Sequence, residues 1–186
     1  MRILGIDPGT ATTGWGVVQT KKQSLSLIQF DCIKTRPEME MPKRLLLLSK
    51  ELSRIIRTYK PHVIVVEQLF FNSNAKTAMT VGQARGVVMM TAARHKLKMF
   101  EYTALTAKME IFGYGRASKK EMQQSVKEIL QLHEAPKSDD AADAIAMALC
   151  HIKKHLDTKG KLIQVKKVSH KLAATKKRVK HTKKRV

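Results

Sequence analysis

The chain has 186 residues, with 36 Lys and Arg against 15 Asp and Glu, a formal net charge of +21. That length suits one domain with a sizeable buried core, and a hydrophobic fraction of 43% excludes a wholly disordered chain. The longest apolar runs, Leu45 to Leu48 and Val63 to Val66, fall far short of the roughly 20 residues that a membrane-spanning helix needs. The opening Met1-Arg2-Ile3-Leu4-Gly5-Ile6-Asp7 puts an acid and a turn where a secretory apolar segment would continue, so no leader is expected. Two cysteines, Cys32 and Cys150, make no disulfide framework and fit a reducing, cytoplasmic setting. So positive a balance points to a polyanionic partner, most simply nucleic acid.

Arg2 to Asp7 reads as a buried strand stopped by Pro8-Gly9. Trp15 to Thr20 and Ser24 to Thr35 read as two more, the second alternating through Leu25 and Leu27, with Lys21-Lys22 in the turn between them. Short links make these strands an antiparallel meander. Lys43 to Tyr59 places Leu46, Leu47, Ile55 and Ile56 near helical spacing and stops before Pro61. Val63 to Glu67 is a continuous apolar strand that ends in an acid. Asn74 to Lys96 reads as a long helix and Met99 to Thr103 as a short strand. Leu105 to Phe112 and Lys119 to Leu132 read as helices separated by Gly113-Tyr114-Gly115. Ser138 to Leu156 is a final Ala-rich helix with Ile145, Leu149 and Ile152 on one side. The expected class is α/β, a five-stranded mixed sheet flanked by helices, compatible with a ribonuclease-H-like fold over residues 1–158.

The charge is unevenly spread. Residues 151–186 hold 14 Lys and Arg and one acid, Asp157, leaving 22 basic and 14 acidic residues in 1–150. From Lys159 on there are Lys pairs, no aromatic residue and no sustained apolar period. Such a segment cannot offset its ordering entropy by burial, so 159–186 is expected to be a disordered basic tail that grips phosphates. A solubilising tail or a localisation signal is the plainer alternative.

Against that background a few acids stand out. Asp7 ends the first strand and Glu67 ends the fourth; if those strands are parallel neighbours, both emerge at one sheet edge. Asp139, Asp140 and Asp143 fall in the first turns of the last helix, behind Ser138 as an N-cap. Acids at a helix start usually serve only the helix dipole, and an acid ending a strand is most often a turn residue. Carboxylates converging on one point, however, need a cation to stay ionised, and an all-oxygen set suits Mg²⁺ or Mn²⁺. Two such ions can activate water and stabilise a leaving oxygen in phosphodiester hydrolysis. Asp140 with Asp143, or Asp139 with Asp143, would share a helix face, and spacing does not choose between the pairs. No HExxH, no P-loop and no Gly-x-Ser-x-Gly is present.

Ile6-Asp7-Pro8-Gly9-Thr10 followed by Gly14-Trp15-Gly16 resembles the opening of the RuvC family of Holliday-junction resolvases. So do Glu67-Gln68-Leu69-Phe70-Phe71-Asn72 leading into Gly82-Gln83-Ala84-Arg85-Gly86, and Asp140-Ala141-Ala142-Asp143-Ala144 before an Ala-rich stretch ending at His151. The three blocks stand in family order over about residues 1–152. The resemblance implies a ribonuclease-H-like homodimeric endonuclease that resolves four-way DNA junctions by paired symmetric nicks in recombination and repair. It implies Mg²⁺ or Mn²⁺, two ions per active site, held by Asp7, Glu67, Asp140 and Asp143, the D-x-x-D register selecting Asp140 over Asp139. Phe70 matches an aromatic that stacks on bases near the junction centre, and Lys108 and Lys119 match basic residues near the scissile phosphate. The family's dimer uses the helix after Glu67, here carrying Gly82, Ala84, Gly86, Met89 and Met90. A bacterial, nucleoid-associated enzyme that works with a branch-migration complex is also implied. Asp139 and the basic tail lie outside the family pattern.

Ile6-Asp7-Pro8-Gly9-Thr10 also resembles the phosphate loop of the actin, Hsp70 and sugar-kinase ATPases, but those need two such lobes and the chain is too short for two. A non-catalytic nucleic-acid-binding protein gains nothing from a focus of negative charge. Another ribonuclease-H-like nuclease, acting on RNA–DNA hybrids, is a third alternative.

Overall fold

Alternation along the strands sorts the side chains into two layers. The computed structural model describes residues 1–22, 24–68 and 75–157, apart from the side chains of 75–77. Its strands are β1 (Arg2–Asp7), β2 (Thr12–Lys21), β3 (Ser24–Lys34), β4 (Val63–Glu67) and β5 (Lys98–Tyr102). They form one sheet in the order β3-β2-β1-β4-β5. β3, β2 and β1 are the expected antiparallel meander, and β1–β4 and β4–β5 pair in parallel. Because successive side chains on a strand point to opposite faces, Leu4, Ile6, Ile64 and Val66 pack on one side of the sheet. There they meet α1 (Met41–Tyr59) and α2 (Ala75–Arg94). Ile3, Val63 and Val65 pack on the other side against α5 (Asp139–His155), which α3 (Ala104–Phe112) and α4 (Lys119–Ile129) cover.

That sandwiched position explains the composition of α5. A helix buried all round has no polar face to spare, and from Ala141 to Ile152 every residue except Asp143 is buried. Alanines keep the helix thin enough to lie on the central strands. Ser138 caps it, its hydroxyl accepting from the backbone N–H of Ala141. α4 begins with a full capping box between Ser118 and Glu121. α3 closes on Gly113 at φ 77°, a conformation glycine adopts at no steric cost.

Several boundaries and one phase differ from the sequence expectation. α1 starts at Met41, with Pro42 in its first turn where a missing N–H costs nothing. Its buried face is Leu48, Leu52, Ile55 and Ile56, whereas Leu46 is 54% exposed. Four consecutive leucines carry no phase of their own; the positions four and three apart further along decide it. α4 stops at Ile129 rather than Leu132, and Gln131 adopts a left-handed backbone at φ 51°. α2 ends at Arg94, before the left-handed Lys96. β2 begins at Thr12, earlier than expected, because Thr12 pairs with Lys34 of β3. α5, Asp139–His155, matches the expected Ser138 to Leu156 to within one residue at each end.

Candidate active site

Asp7 has the same parity along β1 as Ile3 and Gly5, and Glu67 has the same parity along β4 as Val63 and Val65, so both acids point to the α5 side of the sheet. The β1–β4 register, Ile6 beside Val66, leaves the two carboxyl groups adjacent at the carboxyl ends of parallel neighbours. They share a hydrogen bond in which Asp7 keeps the proton and Glu67 accepts. Burial pushes the Asp7 carboxyl up to about 9, reinforced by the negative charges of Glu67, Asp143 and Asp140. Glu67 is raised as well, first by burial, while the Asp7 hydrogen bond and the Lys108 ammonium pull it back.

The first turn of α5 supplies the other acids. Asp143 is half-buried and its carboxyl is raised by burial, with Asp139 and Asp140 pushing the same way and Lys119 and Lys108 opposing. Asp140 sits one turn before it, its backbone against Gly14, the β2 residue paired with Asp7. A tight β1–β2 connection holds this edge in place: the buried Thr13 hydroxyl donates to the carbonyl of Gly9 at 2.6 Å.

The structure thus brings Asp7, Glu67, Asp140 and Asp143 into one electrostatic field, with Lys108 within reach of Glu67 and Asp143. Asp139 is engaged elsewhere. Its carboxylate accepts from Lys119 Nζ at 3.1 Å and from Gln123 Nε2 at 2.8 Å. Lys119 therefore rests on Asp139, with its side chain 70% exposed, and the nearby Asp143 and Asp140 add to its elevated basicity. Gln123 gave no signal in the sequence beyond lying one turn after Lys119 on a helix. Gly14 and Gly16 did: glycines inside a strand mark close approach of another backbone.

Among the described residues, the four carboxyl groups make a hard-oxygen set of the kind Mg²⁺ and Mn²⁺ take. Among the described residues no three His, Cys, Asp or Glu side chains are drawn into a ready-made cage. The acids fit a divalent cation that displaces the proton as it binds.

Phe70 and the 159–186 segment lie outside the described residues. Cys32 and Cys150 are free, the former 3.0 Å from the Ser138 hydroxyl. His151 and His155 both bond the Tyr102 hydroxyl at 2.9 Å, and burial lowers His151 to about 4. On α2, Ala84, Val88 and Ala92 are buried on the sheet, whereas Gly82 and Gly86 have nothing within 4 Å of where a Cβ would be. Met79, Met89 and Met90 are exposed on the same helix. No described helix is long and apolar enough to cross a membrane.

Residues 3–151 match the family described as crossover junction endodeoxyribonuclease RuvC. The proteins of that name from Caldicellulosiruptor saccharolyticus and Desulfitobacterium hafniense are similar at 48% identity over 153 residues and 49% over 151. Those matches cover 82% and 81% of this chain and 92% of each relative. The T. thermophilus RuvC structure in complex with a Holliday junction substrate superposes with a TM-score of 0.78 at 32% identity, covering 83% of this chain and 94% of that one. The yeast mitochondrial Holliday junction resolvase Ydc2, at 13% identity and a TM-score of 0.63 over 87% of this chain and 80% of its own, shares the fold. A ribonuclease-H-like sheet, the acids at its edge and identity over most of both chains converge: this chain belongs to the RuvC family of crossover junction endodeoxyribonucleases.

Proposed function

We propose that the protein resolves four-way DNA junctions by paired nicks, as a homodimer that uses two divalent cations per active site, Mg²⁺ or Mn²⁺. The observation that carries this reading is the half-buried pair Asp7 and Glu67 at the carboxyl ends of the parallel neighbours β1 and β4, with Asp140 and Asp143 of α5 close enough to act on them. Asp7 anchors the cations, and Glu67, Asp140 and Asp143 complete their shells. When bound, the cations supply an activated water and stabilise the leaving oxygen. The chain's own groups do the rest. Asp7 gives up its proton as the site loads. Lys108 and Lys119 offset charge accumulating on the scissile phosphate. Water adds to phosphorus, the bond to the 3′ oxygen breaks, and that oxygen leaves with a proton, giving 5′-phosphate and 3′-hydroxyl ends. Phe70 stacks on a base beside the opened junction centre.

The dimer reading is supported by α2. Gly82 and Gly86 turn away from the sheet, so a second copy can approach closely there, with methionines to fill irregular gaps. A two-fold protein on a two-fold junction presents its two sites to symmetry-related phosphates. Residues 1–158 form the nuclease domain and 159–186 a basic tail. The protein works in the bacterial cytoplasm on the nucleoid, with a branch-migration complex as partner.

The test is cation-dependent nicking of a four-way junction by wild type and Asp7→Asn, with linear duplex and RNA–DNA hybrid as comparison substrates. Asp7→Asn is expected to abolish cleavage while junction binding survives. Retained cleavage, or preference for the hybrid, refutes the assignment.

A further inference from the structure

Three glycines on the inner strands face α5. A Cβ built on Gly5 would lie 1.9 Å from the carbonyl oxygen of Ala144, and one on Gly16 would lie 2.5 Å from Cγ1 of Ile145. On Gly14 it would lie 2.0 Å from the carbonyl oxygen of Asp140, 2.2 Å from its carbonyl carbon and 2.8 Å from the backbone nitrogen of Ala141. The obstacles differ in kind. At Gly16 it is a side-chain carbon of buried Ile145 rather than a peptide. At Gly5 it is a peptide one turn into the helix. At Gly14 it is the peptide of Asp140 itself, and Gly14 pairs directly with Asp7 in the β1–β2 ladder.

We infer that Gly14 is a positioning residue for the phosphodiester chemistry: by lacking a side chain it lets the first turn of α5 rest on β2, and so fixes the distance from Asp7 to Asp140 and Asp143. This role presupposes the nuclease reading proposed above and assigns part of its geometry to a residue with no functional group. A backbone obstacle cannot rotate away. Restoring an ordinary 3.4 Å contact from 2.0 Å takes a displacement of about 1.4 Å at the Asp140 peptide. Ser138, which caps α5, moves with it at the cost of its 3.0 Å contact with Cys32 Sγ on β3. A misplacement of about 1 Å can cost on the order of 100-fold in rate where catalysis depends on geometry. The same displacement loosens the hold on Mg²⁺, which tolerates little departure from octahedral oxygen coordination.

The test compares Gly14→Ala with Gly16→Ala in the full chain. The readouts are melting temperature in chelator, the rise in melting temperature on titrating Mg²⁺ or Mn²⁺, junction binding in chelator, and junction cleavage. Both variants are expected to melt below wild type. Gly14→Ala alone is expected to need at least about tenfold more Mg²⁺ for half its stabilisation and to lose about 100-fold in kcat. Its junction affinity stays within about threefold of wild type, because phosphate contacts dominate binding. A folded Gly14→Ala protein with the wild-type cation midpoint overturns the inference. So does an equal shift in Gly16→Ala, which reduces Gly14 to general packing. Should Gly14→Ala not fold, Ala141→Ser places a smaller wedge on the same turn of α5, and it must raise the cation midpoint more than Gly16→Ala does; the reverse order overturns the inference. A wild-type protein that binds cations but cuts no junction removes the nuclease reading instead, and the cation midpoints still decide the role of Gly14.

Discussion

Stability of the cation-free protein should fall as pH rises from 6 to 8, and Asp7→Asn should reduce that slope. The Asp7 carboxyl sits at about 9 in the folded protein against 3.8 for an ordinary aspartate. A raised folded-state value means the folded protein holds a proton that the unfolded chain has released. The stabilising contribution is therefore complete below about pH 4 and is lost progressively up to about pH 9. Across that window each pH unit costs about 1.4 kcal/mol, so two units cost about 2.7 kcal/mol. His151 opposes it. Lowered to about 4 from 6.5, it stays neutral in the fold while the unfolded chain takes up a proton below pH 6.5, which removes about 0.8 kcal/mol at pH 6. The net is about 2 kcal/mol, or roughly 4 to 8 °C in melting temperature for a domain of this size. Glu67 and Asp143, both raised by burial, add in the same sense as Asp7. The assay is thermal unfolding in chelator at pH 6, 7 and 8, repeated at saturating Mg²⁺ or Mn²⁺. Because cation binding releases the proton, the cation-induced rise should be largest at pH 8 and should flatten the trend. Wild-type stability that climbs with pH in chelator, or an Asp7→Asn protein with the wild-type slope, would refute the reasoning.

Asp140→Asn should reduce cleavage by about 100-fold or more, through loss of a charged ligand at the reacting centre. Asp139→Asn should stay within about fivefold of wild type, because it weakens an exposed pair with Lys119 worth about 1 kcal/mol or less and leaves an amide oxygen to accept from Gln123; cleavage rates in the opposite order would mean that Asp139 is the ligand. Deleting 159–186, which carries 12 Lys and Arg and no acid, should weaken binding to every DNA and reduce the salt slope by about 0.9 for each phosphate the tail no longer neutralises. Loss of junction preference in the same binding assay would make the tail a specificity element. If the proposed α2 two-fold interface exists, Gly82→Glu should place like charges across it and shift the protein from dimer to monomer in sedimentation. A Gly82→Glu protein that stays dimeric locates the interface elsewhere.

The centre of the sheet was legible because two of its strands carried two signals at once. Arg2–Asp7 and Val63–Glu67 are apolar runs that each end in an acid, so burial and edge could be read together. Their parallel pairing was a condition in the sequence and is an observation in the fold. The phase of α1 was not legible. Leu45 to Leu48 satisfies any helical phase, and only the packing of Leu48 and Leu52 on the sheet turns Leu46 to solvent. The two faces of α2 were equally hidden. Small residues at 82, 84 and 86 looked alike in sequence, yet Ala84 is buried on the sheet while Gly82 and Gly86 are open.

The choice among Asp139, Asp140 and Asp143 shows why a site is harder to read than a fold. Helical spacing allows two pairs, and only the resemblance preferred Asp140. The structure adds a physical reason, and it comes from other parts of the chain. Lys119 and Gln123 on α4 draw the Asp139 carboxylate toward themselves, while the Asp140 peptide is pressed against Gly14, directly across from Asp7. On the proposed reading, a lysine, a glutamine and a glycine, rather than the acids themselves, decide which acid would face the cations. None of the three would be chosen as a ligand, and none lies near Asp140 in the chain. Their influence passes through the placement of a helix end. For that reason the chemistry of this edge could be named from four carboxylates, while its register needed the packing of α5 on β2.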